Sequence, residues 1–385
     1  MSDAAETSGV VHWLGAGLST GTGLVRIQDS AKKVILWNRT KSKADSLLER
    51  LGLSDKVESR AYDLESLKAS LSKGDIVVCM LPVAEHGTIL QTAIDHEAHY
   101  VSSSYVSDII LGKADAAKAK KLAVIVESGL DPGIDHLAAH MLVEEAKEKL
   151  VEQGIENDNI ESRFYSYCGG FPAVANDFKY KFSWAPAGVL LALRSPAQYI
   201  GGGENKTAPR PWEVAGPYET SAGIFEAYPN RDSVPFVRQY HFPESWKIDE
   251  FVRGTLRLEG WLEAWAEIFE AIKTQSEDDI KKLGAELAEK HFYEADEKDR
   301  VVLTVGLEVI ANGTEVYNHR YEMDIEGDEA DSAMALTVSN GVACAVTDLL
   351  EGNASSGLSR AAENIDTVKR WVSRLENWGI KLEKR

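Results

Sequence analysis

Short apolar runs alternate with amphipathic stretches from Val10 to Glu127, and that alternation restricts the fold more than any other feature of the chain. Residues 10–14, 33–37, 57–62, 75–81, 100–104 and 123–127 read as strands, and residues 41–51, 63–71 and 108–121 carry helical spacing between them. A strand, a helix and a second strand in that order wind into a parallel sheet, because the crossover must carry the chain back to its starting edge. The predicted class is α/β, with a Rossmann-type parallel sheet at the front.

The texture changes after Gly129. Residues 160–168 and 251–258 read as long strands, with Pro, Gly and aromatic residues clustered between positions 169 and 243 and a loop at Gly201-Gly202-Gly203. Residues 260–273 and 277–290 look like amphipathic helices. Residues 301–310 and 314–325 flank Asn312-Gly313, a strong short-range hairpin signal. Residues 331–350 and 359–378 read as two closing helices. A chain of 385 residues is too long for one core and fits two or three domains.

The 61 acidic residues against 42 basic ones leave a formal charge of −19, a surface that repels nucleic acid and anionic lipid. A small anionic ligand is still accommodated where basic residues gather in one cleft. Cys79, Cys168 and Cys344 are widely spaced, which argues against a disulfide framework and against a C-x-x-C metal site. No apolar run approaches the roughly 18 residues a membrane helix needs, and the acidic start is unlike a secretory leader. The expectation is a soluble, cytoplasmic protein without nucleic-acid or membrane partners. His136 and His140 lie one helical turn apart, but with no third ligand in sight a structural role is expected and no metal.

Gly15-x-Gly17-x-x-Thr20 falls between a strand and a helix, where a dinucleotide fingerprint belongs. The first glycine permits the tight turn and the second lets backbone amides, including those of Leu18 and Ser19, approach a pyrophosphate at the following helix N-terminus. Thr20 replaces the usual small residue, and Gly21 and Gly23 weaken the helix itself. The second strand ends in Asn38-Arg39-Thr40 rather than in a carboxylate. Nothing there repels a 2′-phosphate, Arg39 can meet it with its planar fork, and Asn38 or Thr40 can donate hydrogen bonds. NADP is therefore favoured over NAD. Leu81 and Pro82 after the fourth strand and Ser103 and Ser104 after the fifth lie at the sheet edge where ligands bind, and suit a nicotinamide and its ribose. Leu130 and Asp131 follow the sixth strand and join this set; Asp131 could equally cap a helix beginning at Pro132.

Six motifs in order carry a family resemblance: residues 129–136 (GLDPGIDH), 166–170 (SYCGG), 180–184 (YKFSW), 188–193 (GVLLAL), 228–233 (YPNRDS) and 253–257 (RGTLR). Residues 299–303 and 332–335 extend it toward the C-terminus. In these motifs the chain resembles the saccharopine reductases, also called saccharopine dehydrogenase (NADP+, L-glutamate-forming). The resemblance implies a variant Rossmann domain over residues 1–130 completed by helices in 331–385. It also implies an α/β substrate and dimerisation domain over 131–330, with a small helical insert around 260–292, and a homodimer. It places Tyr105, Asp131, Cys168, Gly169, Arg231 and Thr255 along the substrate cleft. The chain departs from the family pattern at Ala187, Val305 and Leu336, where polar or basic side chains are usual.

The implied reaction is reversible oxidation of saccharopine by NADP+ and water to L-glutamate and α-aminoadipate semialdehyde. Hydride loss from the carbon beside the secondary amine leaves an imine, which water opens to release glutamate. Several carboxylates need cationic partners: Arg231 is the first choice for a bidentate contact, with Arg253 or Arg257 in support. Asp131 or Tyr105 is placed to orient water or assist proton transfer. Cys168 reads as a small lining residue, since hydride transfer requires no covalent intermediate. Two other readings stay open, a carboxyspermidine-type imine reductase and a noncatalytic NADP-binding or redox-sensing protein on the same fold.

Overall fold

The alternation is realised as a parallel sheet in the computed structural model, which describes residues 5–155, 159–183, 186–294 and 297–385. The strands are β1 (Val10–Leu14), β2 (Lys33–Asn38), β3 (Glu58–Ala61), β4 (Ile76–Cys79), β5 (His99–Ser102) and β6 (Ala123–Val126). Between them run α1 (Gly23–Ile27), α2 (Lys41–Arg50), α3 (Leu64–Ser70), α4 (Val83–Asp95) and α5 (Asp108–Ala119). Asp63 and Ser107 cap α3 and α5 by accepting the Ser66 and Ile110 amides.

Helix α6 (Ile134–Glu152) leads into β7 (Ile160–Pro172), α7 (Pro186–Arg194) and the hairpin β8 (Ala197–Gly201) and β9 (Glu204–Ala208). Next come β10 (Gly216–Thr220), β11 (Gly223–Pro229), α8 (Phe236–Gln239) and β12 (Trp246–Leu258). The expected helix over 260–273 breaks at Trp265 into α9 (Trp261–Ala264) and α10 (Ala266–Thr274), followed by α11 (Glu277–Lys290). Strands β13 (Asp299–Ala311) and β14 (Thr314–Glu326) turn at Asn312 and Gly313, whose φ angles of 51° and 78° are those a tight two-residue hairpin requires. The chain closes with α12 (Ala333–Leu350), β15 (Gly357–Arg360), α13 (Ile365–Asn377) and β16 (Glu383–Lys384).

Two compact units result, residues 1–137 with 328–379, and residues 138–327 with 380–385. The first holds a seven-stranded parallel sheet in the order β15-β6-β5-β4-β1-β2-β3. Its apolar strands pack with Leu67, Ile89, Leu90 and Ile110 of the helices. Strand β15 corrects the sequence reading of residues 359–378 as a single helix, since residues 357–360 extend beside β6 instead. The final residues also depart from expectation: β16 pairs with β14 and so belongs to the second unit. Helix α12, 18 residues with a mean hydropathy of 1.4, has the length and composition of a membrane span, against the sequence expectation. It is 83% buried within the fold and serves as a core helix.

The second unit is built on a mixed sheet, β10-β11-β12-β7-β13-β14-β16, with β8 and β9 attached at β12. Val252, Leu256, Tyr167, Phe171, Phe225 and Val302 form an apolar cluster. A second cluster gathers Trp261, Trp265, Tyr180, Tyr228 and helices α7, α10 and α11, so the tryptophans of residues 261 and 265 are core residues.

Candidate functional site

In the first unit β2 flanks β1 on one side and β4 on the other, so the winding reverses at β1 and a crevice opens beyond its carboxyl end. Gly15 ends β1 at φ +111°, and a Cβ there would lie 2.8 Å from the Met80 carbonyl oxygen; only glycine serves. The Gly15 amide donates to Trp37 O at 2.7 Å and the Ala16 amide to Asn38 Oδ1 at 3.1 Å. The next three amides, of Gly17, Leu18 and Ser19, have no internal partner among the described residues, and a Cβ on Gly17 would meet nothing within 4 Å. Successive unspent amides beside an open glycine form a concavity that fits a diphosphate.

The helix behind this loop differs from expectation. Helix α1 has five residues, and its first amides are already spent: Thr22 N donates to Asp331 Oδ2 at 2.5 Å and Gly23 N to Ser339 Oγ at 3.0 Å. A Cβ on Gly21 would fall 1.8 Å from the Asp331 carboxylate, and one on Gly23 would fall 2.1 Å from the Ser339 carbonyl oxygen. These glycines thus admit α12 and Asp331, two residues before it, and a phosphate is left to the loop amides rather than to the helix N-terminus. Burial pushes the Asp331 carboxyl above its ordinary range, opposed by the Thr22 amide and the Arg50 guanidinium. Thr20 is buried and donates to Gly15 O at 3.0 Å, closing the loop on itself.

Asn38 is also committed. Its Oδ1 accepts the Ala16 amide and one Nδ2 hydrogen is donated to Thr40 O at 2.9 Å, so it braces the glycine loop against the β2–α2 turn and keeps a second amide hydrogen for a ligand. Lys41 pairs with Asp45 at 2.8 Å. Arg39 and Thr40 stay exposed, and Thr40 makes no side-chain cap to α2. An exposed guanidinium and hydroxyl at a strand end without a carboxylate fit a 2′-phosphate.

Farther along the edge, the Leu81 carbonyl accepts from His86 Nε2 at 2.9 Å, and Pro82 follows it exposed. Ser103 Oγ lies 3.7 Å from Met80 Sδ, and Ser104 O accepts the Glu127 amide at 3.0 Å. Leu130 is buried and its carbonyl accepts the Asp135 amide. Helix α6 starts at Ile134, which removes the capping role for Asp131. Asp131 Oδ1 instead accepts the Tyr105 hydroxyl at 2.8 Å, both side chains being half-buried. Behind this pair Glu127, Asp135 and His136 are all buried. Sequence reading placed Asp135 and His136 in one motif and Glu127 at a strand end; the signal for Glu127 was a carboxylate ending an otherwise apolar strand.

In the second unit strand register collects the remaining candidates. Arg253, Thr255 and Arg257 alternate on one face of β12, aligned with Ser166 and Cys168 of β7 and with Glu226 and Tyr228 of β11. Gly169 belongs to the opposite face: a Cβ there would lie 2.5 Å from Leu256 O and 2.9 Å from the Phe171 ring. Its lack of a side chain serves sheet packing on that face.

The three arginines part company. The Arg253 guanidinium is buried and stacks 4.0 Å from the Phe236 ring centre. Arg257 is buried among Tyr180, Tyr228 and Trp261, with ring centres 5.0–5.6 Å away. Burial raises the Tyr228 hydroxyl above its ordinary pKa, with Arg257 pulling the other way. Arg231, just past β11, is exposed at φ +57°, with its carbonyl accepting the Gln198 amide at 2.7 Å. Val305 stands opposite Ser166 on the polar face, so no cation enters there from β13. His140 lies edge-on to Tyr240 with ring centres 5.6 Å apart, and no three His, Cys, Asp or Glu side chains are grouped to hold a metal among the described residues. Trp184 of the YKFSW motif lies outside the described residues.

A diphosphate cradle at the reversal point of a parallel sheet, joined in one chain to a mixed sheet with a polar face, defines a dinucleotide-binding oxidoreductase architecture. Residues 11–125 match the saccharopine dehydrogenase NADP binding domain and residues 129–380 the saccharopine dehydrogenase C-terminal domain; the chain belongs to the saccharopine dehydrogenase family. It is 39% identical over 257 residues to saccharopine dehydrogenase [NADP(+), L-glutamate-forming] of Pyricularia oryzae, a match covering 65% of this chain and 55% of that protein. The chain thus spans about half the length of the curated relatives it matches. Apo saccharopine dehydrogenase (L-Glu forming) from Saccharomyces cerevisiae superposes with a TM-score of 0.80 at 26% identity, over 98% of this chain and 99% of that one. Homospermidine synthase from Legionella pneumophila, solved with NAD, shares the fold, with a TM-score of 0.63 at 12% identity over 100% of this chain and 92% of that one.

Proposed function

We propose that this chain is an NADP(H)-dependent oxidoreductase acting on a CH–NH bond, which oxidises saccharopine reversibly to L-glutamate and α-aminoadipate semialdehyde. The observation carrying the reading is the joint one: family matches over both units, and a nucleotide edge whose second strand ends at Asn38 and is followed by Arg39, with no carboxylate. When bound, NADP+ accepts a hydride from the carbon beside the secondary amine. The chain's residues supply binding and alignment. Amides 17–19 take the diphosphate, and Arg39 with Thr40 takes the 2′-phosphate. Leu81, Pro82, Ser103 and Ser104 line the nicotinamide end.

The Tyr105–Asp131 pair holds a proton between a phenol and a carboxylate at 2.8 Å, a suitable device for orienting the water that opens the imine. Arg231 binds a substrate carboxylate, with Thr255 and Cys168 lining the polar face beside it. Arg253 and Arg257 act mainly by shaping that face, since their guanidinium groups lie against rings. A homodimer in a reducing cytoplasm completes the reading; three widely spaced, buried cysteines suit such a compartment.

The test is to incubate the purified protein with saccharopine and NADP+, follow reduced-cofactor absorbance and assay glutamate. Equimolar NADPH and glutamate support the proposal. Cofactor binding without turnover of saccharopine, or turnover only of a cationic secondary amine, overturns it in favour of a noncatalytic or an imine-reducing protein.

A further inference from the structure

A charged triad is sealed behind the Tyr105–Asp131 pair. Glu127, Asp135 and His136 are each at most 1% exposed. The His136 ring lies between the two carboxylates, Nε2 3.1 Å from Glu127 Oε2 and Nδ1 3.3 Å from Asp135 Oδ2. Each ring nitrogen thus faces a carboxylate oxygen, and the ring bridges the two side chains. The Arg360 guanidinium lies 4.0 Å from Glu127 Oε1 and places a positive charge beside that carboxylate.

The remaining carboxylate oxygens reach backbone. Glu127 Oε1 accepts the Val106 amide at 3.0 Å, and Asp135 Oδ1 accepts the Gly133 amide at 2.7 Å. Val106 follows Tyr105 directly, and Gly133 closes the turn that presents Asp131, with Gly129 N donating to Pro132 O at 2.9 Å across it. Each member of the pair is therefore tied through its own stretch of backbone to one arm of the triad.

We infer that His136 is a positioning residue: by holding Glu127 and Asp135 at once, it sets the approach of Tyr105 to Asp131 and so aligns that pair for the reaction. The inference rests on the reading in which the pair touches the reactants. A merely structural triad would stabilise the unit without setting the rate per active site.

The experiment measures steady-state saccharopine oxidation by His136→Leu, His136→Asn and His136→Gln, with rates normalised to NADPH-binding sites titrated by fluorescence. An Asn amide sits near the position of ring Nδ1 and keeps the Asp135 arm. A Gln amide sits near Nε2 and keeps the Glu127 arm. We expect His136→Leu to lose on the order of 100-fold in kcat per site, as small misplacements of catalytic groups do. KM for NADP+ should not change, and Asn and Gln should each recover part of the loss. Should the Leu variant fail to fold, the Asn and Gln variants carry the test, each expected below wild type per site.

Wild-type kcat per site in Asn and Gln overturns the inference, as does a loss fully accounted for by fewer NADPH sites. Tyr105→Phe and Asp131→Asn separate the inference from its premise. If neither lowers kcat, the premise fails; if both do while the His136 variants match wild type per site, the inference alone fails.

Discussion

The carboxyl edge of the first unit and the polar face of the second spend their polar groups in opposite ways. At the edge, amides 17–19 and the Arg39 side chain have been left toward solvent, while half-buried Asn38 and buried Thr20 and Asp331 hold the loops that carry them. On the polar face, the guanidinium groups of Arg253 and Arg257 are withdrawn into ring contacts, and Arg231 stands exposed beside them. The difference teaches that a cation's residue type says little about its role. Exposure and the partner already in place decide whether it serves a ligand or the fold.

The largest effect should come from Gly23→Ala. Its Cβ would collide with backbone of α12, which cannot swing aside, and overpacking of this kind costs about 3 kcal/mol at its upper range. Thermal unfolding should show the loss, with NADPH affinity falling alongside; an unchanged midpoint would mean that α1 and α12 are not held as described. Arg257→Ala comes next. It removes a desolvated cation from a ring cluster, an interaction worth about 2 kcal/mol. The thermal midpoint should drop, while kcat/KM per folded molecule changes less than in Arg231→Ala. The reverse ranking would make Arg257 a ligand residue and break the comparison.

Arg231→Ala should leave the midpoint within experimental error, as exposed substitutions usually do. Its kcat/KM for saccharopine should fall about 10- to 100-fold, the value of a lost charge-assisted contact of roughly 1.5–3 kcal/mol. Arg39→Asp should have the smallest effect on the fold, since Arg39 is exposed. It should raise KM for NADP+ about tenfold or more and move preference toward NAD+, with kcat little changed.

Much of the first unit was legible because an apolar strand followed by an amphipathic helix has few folded solutions. Six of its seven strands stand close to their sequence-read positions. Strand β15 was not, because Leu358, Ser359 and Arg360 make no apolar run and become a strand only by pairing with β6. The break at Trp265 was hidden for a related reason: the helical spacing continues through it, while the indole turns inward to donate to Phe178 O. In the site, residue types pointed to the glycine loop and the basic turn. They could not tell that Asn38 is spent on Ala16, or that α1 takes Asp331 at its N-terminus, a partner 309 positions away. Tyr105 and Asp131 were each candidates, but their pairing depends on how the ends of β5 and β6 are clamped.

The most direct test of the account compares kcat/KM for NADP+ and for NAD+ in saccharopine oxidation by the unmodified protein. The account predicts turnover with both carbon products formed and a preference for NADP+ of at least about tenfold, about 1.4 kcal/mol. Equal use of the two cofactors, or no oxidation of saccharopine with either, would contradict it.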